Sequence, residues 1–361
     1  MKKLLLATVA VSGLAMAAAP AHAEIELELG GYFKGYLASV NQDETAGTDV
    51  VGVDIIRDTK LFVGGETTLD NGLTVGAHVE LNVDANDGNN TAYETYAYFS
   101  GNWGRVNFGA EDGSAYLLQV ATPSADSNID GIRQFVSPFV NTGNLTTSGA
   151  NMDYAMDPTF KNDKLSYLSP IMNGFQVGLS FTPDSSGAAT SFSVDTDTNA
   201  SGTIQETYEI AARYEGQFQN VGVIAGAGYT LGSEEGNSAT TDDRQTWNVG
   251  LDLDIAAFGV GVSYSVDNNG LDGAANDDED TLVIGADYTT GPFKIGASYF
   301  DRNNNGGVDS VDVQRYTGGV VYNYGPGMSF RGSVQYVDQN NTAPTADADG
   351  TAFILGTQVN F

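Results

Sequence analysis

The chain has 361 residues, with 46 aspartates and glutamates against 15 lysines and arginines and a formal charge of -31. That excess argues against a nucleic-acid-binding surface, and 45 glycines beside 9 prolines, with no collagen period, argue against an ordinary helical enzyme. No cysteine is present, which removes disulfides, thiolate metal sites and cysteine nucleophiles from consideration.

Residues 1–23 read as a signal peptide. Lys2 and Lys3 form a basic start, Leu4 to Ala18 an apolar run, and Ala21-His22-Ala23 a small-residue cleavage site before Glu24. The remainder, 24–361, is expected to be a single domain. It holds no run of 18 or more apolar residues, so no membrane helix is predicted.

From Glu24 onward one pattern repeats: two alternating stretches of about ten residues meet at a tight turn, and a longer polar segment leads to the next pair. The short turns are predicted at Asp70-Asn71-Gly72, Gly101-Asn102-Trp103-Gly104, Met172-Asn173-Gly174, Glu215-Gly216-Gln217, Ala256-Ala257-Phe258-Gly259, Thr290-Gly291-Pro292 and Gly325-Pro326-Gly327. Seven hairpins, a first strand near 24–40 and a last near 350–361 give sixteen strands, with both termini on the short-turn side. Within strands the alternation is strict. Ile25, Leu27, Leu29, Phe33 and Leu37 share one face while Glu26, Glu28, Tyr32, Lys34 and Tyr36 share the other, and the rule returns in later strands.

A soluble sandwich would turn the apolar face inward; an outer-membrane barrel turns it to lipid and leaves polar residues around a watery lumen. Sixteen long strands without a linker or composition shift favour the membrane barrel, since about 9–11 tilted residues span the hydrocarbon core and closure satisfies every strand edge. The fold class expected is all-β, a 16-stranded antiparallel transmembrane β-barrel. Aromatic residues near strand ends, such as Trp103, Phe258, Phe293, Tyr229, Tyr264, Tyr299 and Tyr336, fit interface girdles. Short turns are then periplasmic and the long, acidic loops extracellular.

The third long loop, 112–162, is about fifty residues and exceeds an ordinary connection. Its first half carries Ala115, Tyr116, Leu117, Leu118, Val120, Ile129, Ile132, Phe135, Val136, Phe139 and Val140, too apolar to stay in solvent. Folded into the lumen it would narrow the pore and present Glu111, Asp112, Asp126 and Asp130 to solute; packing across the mouth or on a neighbouring subunit is the alternative. Its second half, with Asp153, Asp157 and Lys161, reads as a surface excursion.

By alternation Lys34, Lys60, Arg105, Arg213, Lys294, Arg315 and Arg331 fall on polar faces. Arg133 lies in the third loop, Arg244 and Arg302 lie near loop ends, and the parity of Arg57 conflicts with that of Lys60. Lys34, Lys60, Lys294, Arg315 and Arg331 come from strands that closure makes near neighbours, forming a basic arc. A loop crossing opposite that arc would set carboxylates against cations in a transverse field; local pairing of lumenal charges is the competing reading.

Catalysis finds little material. His78 is the only histidine after the leader, which leaves no triad or clustered-histidine metal site, and no phosphate-binding loop precedes a helix. No cofactor is expected. Acidic loops around Asp277, Asp278 and Asp280, Asp84 to Asn90 and Asp301 to Asp309 offer hard oxygen ligands that could take structural Ca²⁺, or are simply solvated.

The leader, the strand count, the long third loop after Asn107-Phe108-Gly109-Ala110-Glu111-Asp112 and the terminal Val359-Asn360-Phe361 together resemble the general diffusion porins of Gram-negative bacteria, nearest those of alphaproteobacteria. The resemblance implies a homotrimer of separate pores embedded in outer-membrane lipid and lipopolysaccharide. It also implies a third loop forming the constriction, passive passage of ions and small hydrophilic solutes, and a terminal Phe361 read by the barrel-insertion machinery. By position it sets Glu111, Asp112, Asp126 and Asp130 against Lys34, Lys60, Arg315 and Arg331. The dense arginine ladder and the Pro-Glu-Phe-Gly turn of enteric porins are absent, which implies a less cationic wall. The small outward residues Ala225, Ala227, Ala286 and Ala297 are candidates for subunit contact. Two other functions are compatible with a barrel: a sugar-specific channel, for which Tyr32, Tyr36, Tyr96 and Tyr98 are the foothold, and a closed adhesin-like barrel.

Overall fold

The computed structural model describes residues 25–84, 92–185, 203–236, 241–271, 278–304, 311–341 and 346–361. The leader, 1–23, Asp277 and most of the Asp84 to Asn90 and Asp301 to Asp309 loops lie outside the described residues.

Where the sequence alternates, the backbone is extended. The strands are β1 (Glu26–Gln42), β2 (Val53–Thr68), β3 (Thr74–Asn82), β4 (Ala92–Gly101), β5 (Gly104–Ala110), β6 (Asp163–Leu168), β7 (Phe175–Thr182) and β8 (Thr203–Phe218) in the first half. The second half contributes β9 (Val221–Glu235), β10 (Arg244–Ile255), β11 (Phe258–Asp267), β12 (Glu279–Thr290), β13 (Phe293–Asn304), β14 (Val311–Gly325), β15 (Met328–Asn341) and β16 (Ala348–Asn360). Each pairs with its sequence neighbours, and β16 returns to β1, closing an antiparallel barrel of sixteen strands. Closure leaves no strand edge unpaired in lipid, where an unsatisfied backbone group costs several kcal/mol, roughly. At the seam Gly31 and Phe361 exchange backbone hydrogen bonds of 2.8 and 3.0 Å.

Turn chemistry follows expectation at six of the seven periplasmic turns, with positive φ at Gly72, Gly104, Gly174, Ala256, Gly291 and Gly327. The fourth differs: β8 runs on to Phe218 and the turn falls at Gln219-Asn220, with φ 56° at Gln219. Gly216 lies within the strand, where a β-carbon would collide with the Tyr214 ring.

The faces hold as read. Leu27, Leu29, Leu37, Phe258, Ile295, Phe353 and Leu355 point out and are exposed, as lipid-facing residues are. The uncertain parity of Arg57 resolves simply: its side chain points outward, 53% exposed and 3.1 Å from Asp84, while Lys60 points in. Outward aromatic pairs form two rows. One holds Phe175–Tyr214, Phe258–Tyr288 and Phe293–Tyr322 towards the short turns; the other holds Phe181–Tyr208, Trp247–Tyr264 and Tyr299–Tyr316 towards the long loops. These are the two interfacial girdles of a membrane barrel.

Candidate pore constriction

The segment 111–162 turns inward. It contains three single-turn helices, α1 (Ser114–Leu117), α2 (Ser127–Asp130) and α3 (Thr147–Ala150), and lies along the inner wall. Lys164 ties its two ends together by donating to the carbonyls of Phe160 and Asn162, 2.8 Å each, and to that of Glu111.

A lane of inward-facing glycines seats the loop. A β-carbon at Gly226 or Gly250 would come within 2.8 Å of Val120, one at Gly261 within 2.6 Å of Pro123, and one at Gly296 within 2.6 Å of the Ala125 nitrogen; at Gly285 the Pro123 carbonyl would be closer still. Glycine is what permits backbone to lie on backbone here. Further round, Ile129, Val136, Phe139, Leu145, Met152 and Tyr154 of the loop pack on inward Val283, Phe300, Val313, Val337, Ala352 and Ile354. Each large apolar side chain so buried contributes about 1.5–3 kcal/mol. The second half of the loop, expected at the surface, is inside as well: Leu145, Met152 and Met156 are buried because the wall beneath them is apolar.

The four loop acids fall into two groups. Glu111 accepts from Asn107, and Asp112 bridges Arg133 (3.0 Å) and Lys161. Asp126 pairs with Arg331 and accepts from the Tyr36 hydroxyl at 2.9 Å, while Asp130 accepts from Ser298 at 2.8 Å with Arg315 nearby. Burial pushes the Glu111 carboxyl up to about 7 despite the Asn107 hydrogen bond. Burial, with the charge of Asp112, also raises Asp157.

The basic residues are mostly paired where they stand. Lys34 is 3.4 Å from Asp58, Lys60 contacts Glu80, and Lys294 is 2.9 Å from Asp287. Arg105 stacks 3.9 Å from the Tyr98 ring centroid and donates to Asn107. Arg315 is wholly buried, donating to the Ile129 carbonyl behind the loop. Carboxylates and arc thus touch at Asp126–Arg331 and do not face one another across a gap there.

Open lumen remains on the loop side of the barrel as a cavity of about 530 Å³ reaching from β2–β4 to β10–β13. Its charged lining is Lys60, Arg133, Arg244 and Arg302 against Asp58, Asp153, Asp157, Asp267 and Glu279. Arg244 pairs with Asp267 at 2.6 Å and Arg302 with Glu279 at 3.2 Å. Sequence reading left Arg244 and Arg302 at loop ends without a role. Extending the inward parity of Thr246 and Phe300 by two residues finds both.

The Ca²⁺ expectation at Asp277, Asp278 and Asp280 gains nothing from geometry. Among the described residues the group that could hold a metal is His78, Glu80 and Glu94, with donor atoms within 4.8 Å of one another on β3 and β4. A histidine in the set suits a borderline cation better than Ca²⁺. Lys60 and Lys161 already neutralise the two carboxylates.

A family model for Gram-negative porins matches residues 7–342. The chain belongs to that family. The porin is accordingly an outer-membrane transport protein and not an enzyme, with periplasmic turns and extracellular loops. Its fold is shared by the anion-selective porin from Comamonas acidovorans, at 16% identity over 94% of this chain and 100% of that one, TM-score 0.64. OmpT of Vibrio cholerae in its trimer form aligns at 17% identity over 93% and 99%, TM-score 0.59. A variant of the Rh. blastica porin aligns at 19% over 93% and 100%, TM-score 0.59. At these identities the likeness is one of fold. A search of curated protein sequences finds no match.

Proposed function

We propose that this porin is a passive, weakly cation-preferring diffusion channel for ions and small hydrophilic solutes. The observation that carries the reading is the 530 Å³ lumenal cavity with five carboxylates against four cations in its lining. Selectivity follows charge at the narrowing, so a near-balance there gives a weak preference even in a chain of formal charge -31. Glu111 and Asp112 supply the acidic side, joined by Asp153 and Asp157. Asp126 and Asp130 serve by holding the loop on the basic wall at Arg331 and Arg315. Lys34, Lys60, Arg105 and Lys294 form the basic side, each paired or stacked where it stands.

The working unit is a homotrimer of the alphaproteobacterial type. Supporting this, the outward faces of β16 and β1–β5 carry no Tyr or Trp among the described residues, whereas an outward Tyr or Trp stands on β6 and on each strand from β8 to β15. A face without interfacial anchors suits protein better than headgroups. Ala225, Ala227, Ala286 and Ala297 lie on β9, β12 and β13, within the girdled part, and so face lipid. Residues 1–23 serve as the export signal and Phe361 as the assembly signal.

The test is single-channel conductance of purified porin in a planar bilayer under a KCl gradient. Openings in threes with a small cation-selective reversal potential are expected. A chloride-selective potential would overturn the preference, and silence from folded, inserted protein would restore the closed-barrel alternative.

A further inference from the structure

Below the loop, at the periplasmic end of the lumen, lies a second cavity of about 400 Å³. Its lining includes inward Tyr32, Phe62 and His78, the terminal Phe361, the carboxamides of Gln358 and Asn360, and one charged chain other than histidine, Glu28. Among the described residues no lysine or arginine lines it. The rings belong to an arc crossing four consecutive strands: Tyr32–Phe62 at 5.8 Å, Phe62–His78 at 6.1 Å, His78–Tyr96 at 5.3 Å and Tyr96–Tyr98 at 6.5 Å. A porin lumen is ordinarily polar, and half-exposed rings against water forfeit roughly 25 cal/mol for each Å² left uncovered.

The barrel shows what such rings attract. Lys34 stands 4.0 Å from the Tyr32 centroid and 3.3 Å from that of Phe135, Lys60 3.7 Å from Tyr93, and Arg105 3.9 Å from Tyr98. Phe62, second in the arc, has no protein cation over it among the described residues. The Lys34 ammonium over Tyr32 is offset by Asp58, which also accepts from the Tyr32 hydroxyl at 2.8 Å. An aromatic concavity with a single carboxylate side chain and neither lysine nor arginine among its described lining complements a bulky, weakly hydrated cation: the ring quadrupole attracts the charge, the ring faces cover its methyl groups, and Glu28 supplies the counter-charge.

We propose that this cavity is a binding station for small organic cations of the quaternary or substituted ammonium class, entered from the periplasmic mouth. The proposal rests on the channel reading above and names a solute class for its lower lumen. A neutral sugar would find ring faces here but no use for the charge.

The experiment adds tetramethylammonium chloride to the periplasmic side of porin conducting K⁺, with glucose as the neutral probe, and repeats the titration calorimetrically on folded porin in detergent. Saturable block by tetramethylammonium and none by glucose are expected. The apparent dissociation constant should rise about three- to thirty-fold in Phe62→Leu and in Glu28→Gln, each normalised to its own open current. Unsaturable block, equal block by glucose, or constants unchanged in both variants would overturn the station while leaving the channel intact. Silence in KCl with saturable calorimetric binding would instead overturn the channel and keep the site.

Discussion

The two sides of the lumen are built from the same closed sheet and look nothing alike. On β1–β5 the inward positions hold ion pairs and rings, Lys34–Asp58, Lys60–Glu80 and the arc from Tyr32 to Tyr98. On β7–β16 the positions under the third loop are chiefly glycines and apolar side chains. The difference is set by what each wall faces. A wall met by polar side chains and open lumen pairs its charges side by side, whereas a wall on which loop backbone lies loses its side chains where that backbone must approach and becomes apolar where side chains interdigitate. An inward face of a barrel is therefore not one environment, and polarity along it reports the path of whatever the barrel swallows.

The comparison can be broken most forcefully in the covered wall. Phe300→Ala removes a fully buried ring from the seam between loop and wall and should cost about 4 kcal/mol, read by urea unfolding in lipid vesicles. Gly285→Val drives a branched side chain into the Pro123 backbone; it should cost about 2–3 kcal/mol and displace the loop, read as an altered single-channel conductance in the same protein. On the β1–β5 wall Tyr98→Phe removes a part-buried hydrogen bond of 2.6 Å to Glu66 and should change stability by about 1 kcal/mol. If Phe300→Ala proved as mild as Tyr98→Phe, the distinction between the walls would fall.

The smallest effect is electrostatic. The Glu111 carboxyl is raised to about 7, so it is ionised at pH 8 and largely neutral at pH 6. Acidification through that window should diminish the cation preference, measured as reversal potential. The linkage has the matching sign: a carboxyl whose folded value is raised binds its proton more tightly when folded, so its contribution to stability improves as pH falls through about 7. A reversal potential flat between pH 8 and 6 would place Glu111 outside the conducting path.

Strand count, faces and closure were legible because period-two alternation and glycine turns are local signals. The fourth turn was not, since Gln219 carries the positive φ that Gly216 seemed better suited to supply. The covered wall was written in plain view as departures from alternation: Leu282-Val283-Ile284 and Phe353-Ile354-Leu355 are apolar on both faces, the mark of a strand buried on both sides. What alternation could not convey was partnership. Whether Asp126 meets Arg331 or solvent depends on where residues 111–162 run, and that path is decided by tertiary contacts alone.

The glycine lane also carries a consequence for how such a protein can vary over generations. Any replacement at Gly226, Gly250, Gly261, Gly285 or Gly296 can only add atoms, so drift at these sites runs in one direction, towards pushing the loop off its seat. Inward positions that face open lumen can exchange one polar chain for another. Diversification of what this barrel admits is therefore channelled away from the lane, into inward positions that no loop backbone crosses.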